Sequence, residues 1–266
     1  MAEALMEATA YEVIRPDVSH IKIEDGAPVD NIFSEKQIRL LAESLNSSWE
    51  GPPADEEDAA RPFMVLTNVG LFSTPDQPPV VPDVMVSLDV AALPDPLANK
   101  EHNTYFVWIF GKAPDVVIEV VSNRVGGEDG RKLRKYARIG VTYYVIYDPA
   151  HYLSQESLRM YELRHRAYVP MTEQWMPALD LGLCVWRGEY EGLEDDWLRW
   201  CDIDGTLLPT GAELAAEQKT RAELASKRAE QAEEQAELAK EQATLAESRA
   251  ERLATQLRAL GVDPAA

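Results

Sequence analysis

From Gly211 to Leu260 the sequence admits one regular structure. The segment is built almost entirely from Ala, Glu, Gln, Leu, Lys, Arg, Ser and Thr, with no proline and no aromatic residue. These are mostly strong helix formers. Ala222, Ala225, Ala229, Ala232, Ala236, Ala239, Ala243, Ala246, Ala250, Leu253, Leu257 and Leu260 alternate in steps of three and four, an a/d seam sustained over more than five heptads. Leu224, Leu238 and Leu245 share a c position and widen the stripe. Alanine buries little area, so each seam residue contributes roughly 1 kcal/mol or less before entropy. The pattern predicts a coiled-coil helix over 211–260. Such a helix either self-associates, docks a helical partner, or stands as a solvated single helix. Gly261-Val262-Asp263-Pro264 is a helix stop, which leaves 261–266 as a tail.

The remainder is compositionally different. Residues 1–33 read as an extended leader ending in the turn Ile23–Gly26, and 34–210 as a mixed α/β globular body. With 45 % hydrophobic residues the chain of 266 can bury a sizeable core. Two cysteines, Cys184 and Cys201, exclude a disulfide framework and fit a reducing compartment. No apolar run is long enough for a membrane span, and Glu3 and Glu7 stand where a secretory signal needs basic residues. The expected location is cytoplasmic. The formal net charge is -20, of which 211–260, with ten Glu against eight Lys or Arg, carries only -2. A body this acidic does not hold nucleic acid or anionic membrane non-specifically. Any contact with phosphate requires a local site that overcomes the global field.

Within the body, Ser34 and Gln37 read as a capping box, with Phe33 stapled onto Ile38. Ile38, Leu41 and Leu45 form the apolar face of a helix that stops near Trp49, before Gly51-Pro52-Pro53. Residues 54–60 read as an acidic loop. Strands are expected at 62–69, 80–90, 105–110, 115–121 and 141–147. A helix is expected at 128–139, with Gly140 as its C-cap. Hairpins follow at 158–163, 168–170 and 183–186, packed together by Trp186, Trp197 and Trp200.

Chemistry concentrates in the segment 115–119, Asp-Val-Val-Ile-Glu. Strand alternation puts Asp115, Val117 and Glu119 on one face, and Val116, Ile118 and Val120 on a core-facing one. An unpaired carboxylate at Glu119 would cost several kcal/mol, so it needs a partner or a metal. Asp83, after Pro82, opens another apolar strand. If the two strands are neighbours, Asp83 and Glu119 form an oxygen pair suited to Mg²⁺ or Mn²⁺. Lys132 and Tyr136, spaced i, i+4, share one helical face that can fold back over the strand end. Lys135 is the alternative cation. Asp83 can also be a simple turn residue, Glu119 a plain ion-pair partner of Lys132, and Asp115 a strand-start residue. The four histidines show no metal spacing, and Asp202 and Asp204 lack the rest of a calcium loop.

Pro82-Asp83, the segment 114–123 and the run Gly126–Pro149, with its Lys132, Tyr136-Ala-Arg-Ile-Gly-Val and Tyr147-Asp148-Pro149, resemble the bacterial family called Putative restriction endonuclease, within the PD-(D/E)XK nuclease superfamily. The resemblance spans about 20–190. It implies an α/β fold of the α+β, mixed-sheet kind, with a restriction-endonuclease-like core ordered helix, strand, strand, strand, helix, strand. That order agrees with the elements above, to which extra hairpins and the long C-terminal helix are added. It assigns Asp83 and Glu119 as ligands of a divalent metal. The superfamily lysine would fall at Val121; Lys132, on the following helix, is the match, orienting or activating the attacking water. Glu35 is a weaker candidate for an additional acidic residue, since a first-turn Glu also suits the helix dipole.

The expected function is a Mg²⁺- or Mn²⁺-dependent endonuclease that hydrolyses DNA, with catalytic residues Asp83, Glu119 and Lys132, working as a homodimer without membrane contact. The alternative is a weak or inactive nuclease-fold scaffold recruiting partners through its coiled coil. A third class is a regulator that binds nucleic acid without cutting it. The acidity of the body counts against tight DNA binding, and the Asp83, Glu119 and Lys132 set counts for catalysis.

Overall fold

The computed structural model describes Asp17, His20 and residues 31–52, 61–123 and 126–260. The turn at 23–26, the acidic stretch 54–60 and the end at 261–266 lie outside the described residues. Contacts divide the chain into two units, Met1–Gly211 and Ala212–Ala266.

The first unit runs α1 (Ile32–Ser48), β1 (Phe63–Thr67), β2 (Leu71–Phe72), β3 (Val84–Leu88), β4 (Tyr105–Phe106), α2 (Val107–Phe110) and β5 (Val116–Val120). A single π-helical turn (Glu128–Lys132) leads into α3 (Leu133–Ile139), followed by β6 (Tyr143–Tyr147), β7 (Leu158–Arg164) and β8 (Ala167–Pro170). Three further strands close it: β9 (Trp175–Met176), β10 (Leu181–Tyr190) and β11 (Leu193–Cys201). This is a mixed α+β fold consistent with a restriction-endonuclease-like core.

The main sheet is ordered β1-β3-β5-β6-β7-β8. Its one parallel pair is β5 with β6, joined by the crossover through α3. Every other neighbour pair in that sheet is antiparallel.

Two apolar clusters sandwich the sheet. In one, Ile38, Leu41 and Leu45 of α1 and Leu181, Leu183, Leu198 and Trp200 of the β9–β11 sheet pack against Val86, Ile118, Val120 and Val145. In the other, Tyr136 of α3 packs with Met85, Val117, Tyr144 and Ile146. So β5 is buried on both faces, as its dense β-branched run leads one to expect. The sequence of a strand inside a sandwich reads as a continuous β-branched run for that reason.

Several local expectations are corrected. Asn31, not Ser34, caps α1: its Oδ1 accepts the Ser34 N–H at 2.8 Å. Gln37 is buried and forms no capping box; its amide donates to the Leu198 carbonyl at 2.8 Å and accepts the Leu198 N–H at 2.9 Å. This satisfies backbone groups of β11 that the helix would otherwise strand. Trp200 donates to the Leu41 carbonyl at 3.0 Å, and Phe33 stacks on Trp197 at 4.9 Å. Trp197 and Trp200 therefore fasten the late hairpin to α1. The segment 105–110 keeps only two strand residues before turning into α2, which ends at Gly111 in the left-handed conformation. Asp202 Oδ1 accepts the N–H groups of Asp204 and Thr206, a local turn.

The second unit is α4 (Gly211–Ala259), 49 residues long with none buried. Leu224, Leu238, Leu245, Leu253 and Leu257 are all exposed. No helix among the described residues is long and apolar enough to cross a membrane.

Candidate active site

The site grows from the register of three strands. In the β3–β5 ladder Val84 stands opposite Ile118. One step further the same antiparallel register sets Asp83 opposite Glu119. Directly opposed residues place their Cβ atoms about 5 Å apart. Asp83 Oδ2 accepts the N–H of Val120 at 2.6 Å, which holds the carboxylate against the end of β5. Glu119 pairs onward with Ile146 of β6, and Ile146 with Arg159 of β7. Asp83, Glu119, Ile146 and Arg159 thus form one cross-sheet row. It lies toward the carboxyl ends of the parallel pair β5 and β6, where open α/β sheets place their ligands.

Glu119 is only 1 % exposed. Its Oε2 accepts from Lys132 Nζ at 2.7 Å and its Oε1 from the Tyr136 hydroxyl at 2.6 Å. Both donors come from the segment that folds back over β5, and their i, i+4 spacing puts them on one face. The turn before α3 is tighter in its demands. Its Lys132 N–H reaches the Gly127 carbonyl at 2.9 Å, the π-helical bond. Single π turns recur at functional sites because they redirect side chains. Here the turn brings Glu128 Oε1 within 3.4 Å of Lys132 Nζ. The Glu128 carboxylate folds over Gly126, where any Cβ would collide with it. The Tyr144 hydroxyl anchors the turn by donating to the Glu128 carbonyl at 2.9 Å.

Electrostatics sharpen the picture. Burial, and then the charge of Asp83, push the Glu119 carboxyl up to about 8 despite the Lys132 ammonium and the Tyr136 hydroxyl. Burial pulls Lys132 down, but the Glu119 charge and hydrogen bond outweigh it and hold the lysine above its ordinary value. Burial and the neighbouring Glu119 carboxylate raise Tyr136 well above its ordinary value too. The Glu119–Lys132 pair is therefore a firm cation beside an acid poised to gain or lose its proton near neutrality.

The other sequence candidates separate from this cluster. Lys135 turns away and donates to the carbonyls of Pro78 and Pro79 at 2.7 and 2.8 Å. Asp115 accepts the Leu88 N–H at 2.8 Å and pairs with Lys112 at 2.6 Å, closing the start of β5. Glu35 pairs with Arg39 at 2.8 Å on the first turns of α1, beside a cleft that includes Thr67 and Asn68.

Two further residues, Glu128 and Arg159, join the site without being singled out by the sequence. Glu128 is buried, with its Oε2 lacking a hydrogen-bond partner among the described residues. Its i, i+4 relation to Lys132 and the preceding Gly126-Gly127 were the available signals. Arg159 has Nε and Nη2 buried without a partner among the described residues; nothing in a half-apolar strand distinguishes it until the register is known.

Among the described residues no cluster of three or more His, Cys, Asp or Glu is preassembled for a metal. The donor chemistry at this site nevertheless fits a hard divalent cation. Asp83 and Glu119 offer only oxygens, and Mg²⁺ commonly binds through one or two carboxylates plus waters.

A mixed sheet with a parallel β5–β6 pair crossed by α3 is consistent with a restriction-endonuclease-like fold. The pattern of the Uma2 family, described as Putative restriction endonuclease, matches residues 23–183. The chain belongs to that family. No curated protein matches the chain.

Proposed function

We propose that the protein is a Mg²⁺- or Mn²⁺-dependent endonuclease of the cytoplasm that hydrolyses DNA phosphodiester bonds at Asp83, Glu119 and Lys132. The observation that carries this is the fully buried Glu119 carboxylate, set opposite Asp83 and gripped by Lys132 and Tyr136. Asp83 and Glu119 would hold the metal. When bound, the metal lowers the pKa of a coordinated water and offsets charge on the phosphate. Lys132, held above its ordinary pKa, stays protonated and cannot serve as the base. It acts as a hydrogen-bond donor and cation that orients the water and stabilises the charge developing on phosphate oxygens. Tyr136 fixes one Glu119 oxygen so that the other faces Lys132. Glu128 offers Lys132 a second acceptor if Oε2 of Glu119 is taken by the metal.

Residues on α4 support a second element of the proposal. A seam of alanines beside exposed leucines, none of them buried in the single chain, suits a homodimer or a helical partner. The free thiols Cys184 and Cys201 suit a reducing cytosol.

The test is nicking of supercoiled plasmid by the full chain with Mn²⁺, with Glu119→Gln alongside. Cleavage by the wild type and its loss in the variant support the function. Because a metal must displace the proton of Glu119, cleavage should rise with pH up to about 8. Equal cleavage by both proteins would remove Glu119 from the chemistry.

A further inference from the structure

A chain of net charge -20 repels DNA unless some part of its surface overrides the field. Of the ten described Lys and Arg on the body outside residues 131–138, at least six are committed to carboxylates. Lys36 and Arg39 pair with Glu191, Arg61 with Asp89, Lys112 with Asp115, Arg164 with Glu162, and Arg187 lies within salt-bridge reach of Glu194, Asp195 and Asp196. The segment 131–138 is different. It holds five Lys or Arg in eight residues. Lys132 serves the carboxylate cluster, and Lys135 is tied to backbone carbonyls. Arg131, Arg134 and Arg138 are exposed and make no ion pair among the described residues.

Spacing puts these three guanidiniums in one stripe. At about 100° per residue, positions 131, 134 and 138 fall within roughly 60° of one another, and about 100–160° around the helix from Lys132. The π turn and α3 together therefore carry the site's lysine on one side and, away from it, an arginine stripe that forms no ion pair among the described residues. The stripe's field is felt by its neighbour: burial, and then the charges of Arg131 and Arg138, hold Lys135 below its ordinary value. Beside Lys135 and Arg138 lies a shallow cleft whose lining includes Ser73, Thr74 and Gln77, neutral donors suited to phosphate oxygens. Arg159, with its unpartnered N–H groups, stands in the row of Asp83 and Glu119. A planar guanidinium binds phosphate bidentately, and three spaced along one helix track a backbone rather than a single anion.

We infer that the Arg131–Arg134–Arg138 stripe is the surface that holds the DNA phosphate backbone and delivers it to the carboxylate site. The inference rests on the nuclease proposal for its substrate. It explains how an acidic body engages DNA: by one local cationic ridge on the element that also carries Lys132. Contacts of this kind position the duplex and read no sequence.

The experiment measures binding of the full chain to a short labelled DNA duplex in EDTA, across a salt series. Three variants are compared with the wild type. R131Q/R134Q/R138Q removes the ridge. R131K/R134K/R138K keeps its charge. R39Q/R164Q/R187Q removes three paired surface arginines and changes net charge by the same amount. Each phosphate contact contributes about 0.9 to the log–log salt slope, so loss of the ridge should reduce the slope by about 2.7. Between 50 and 200 mM salt the wild type should then lose about 40-fold more affinity than the ridge variant. The lysine variant should keep most of the slope, and the paired-arginine variant all of it. Equal slopes in the ridge and paired-arginine variants, or no binding by the wild type, would overturn the ridge. Plasmid nicking separates this from the underlying function. Cleavage that survives loss of the ridge sinks the ridge alone. A ridge that binds duplex in a protein that never cuts sinks the nuclease proposal alone.

Discussion

The two faces of β5 meet different physical demands. On one, Val116, Ile118 and Val120 pack with α1 and the late hairpin in a cluster of apolar side chains. On the other, Val117 shares its cluster with Tyr136 and Tyr144, and Glu119 carries a carboxylate into equal burial. The first face gains free energy from every methyl removed from water. The second places a carboxyl group where water cannot reach it, and Lys132 and Tyr136 hold it against the repulsion of Asp83. The fold tolerates the second face because the first is so well packed. Sites that break local rules are expected to lean on such compensation. The comparison can be attacked by changing one face at a time.

The largest expected effect is on the packing face. Ile118→Ala leaves a cavity between α1 and the sheet and should cost about 2–5 kcal/mol in chemical denaturation. Metal binding per folded molecule should be unchanged, because Glu119 points to the opposite side. A loss of stability below about 1 kcal/mol would show that α1 and the hairpin do not carry the fold.

On the charged face the effect depends on pH. Glu119 has a folded pKa near 8, above its ordinary 4.5, so the folded state binds its proton more tightly than the unfolded state. Its contribution is fully favourable below about pH 4.5 and is lost as pH rises through about 8. Without metal, the wild type should lose on the order of 3 kcal/mol from this group between pH 5 and pH 8. Glu119→Gln should flatten that slope. Mn²⁺ should raise the wild-type melting temperature more at pH 8 than at pH 6, and leave the variant unmoved. Parallel pH profiles for the two proteins would mean that Glu119 is already ionised when folded, without strain.

Tyr136→Phe is the next smaller perturbation. It removes one hydroxyl donor from a buried carboxylate, a charge-assisted bond worth about 1.5 kcal/mol. The ring and its 5.1 Å contact with Tyr144 remain. The stability loss should be greatest above pH 8 and fade below it, where Glu119 is protonated. A loss independent of pH would assign Tyr136 to packing alone.

Much of this contrast was legible in the sequence, and the missing parts share a cause. Glu119 stands out because a charge inside a β-branched run violates the local pattern; Asp83, at the start of the neighbouring strand, and Lys132, on the following helix, join it by spacing and by the family resemblance. The helix α1, the strands β3, β5 and β6, and Gly140 at the end of α3 follow from periodicity and capping chemistry. Sequence alternation could not tell that Val117's face was also covered, since covering depends on α3 packing back across the sheet. Gln37 looked like a capping residue because its real partner, Leu198, lies 161 residues away. Arg159 was invisible for the same reason, its significance being set by register; Glu128 had only its i, i+4 spacing to Lys132 and the preceding glycine pair to mark it. The alanine seam of α4 specifies a helix without specifying its partner, because small residues fit many.

The smallest effect tests whether acidity alone marks the site. Asp115 shares its face with Val117 and Glu119 by alternation, yet its carboxylate is engaged elsewhere. It accepts the N–H of Leu88 and pairs with Lys112, and Lys112 in turn donates to the Leu88 carbonyl at 2.9 Å. These bonds finish the β3–β5 ladder at the end opposite Asp83, where the strands separate and backbone groups would go unsatisfied. Asp115→Asn keeps an acceptor for Leu88 and weakens only the ion pair, in which Lys112 is partly exposed. The cost should be about 0.5–1 kcal/mol, in the range of a half-exposed pair. Mn²⁺-induced stabilisation and the pH slope assigned to Glu119 should match the wild type. If Asp115→Asn instead abolished the metal response, the metal would sit nearer the start of β5 than its end, and the division of labour between the strand's two faces would have to be redrawn around Asp115 in place of Asp83.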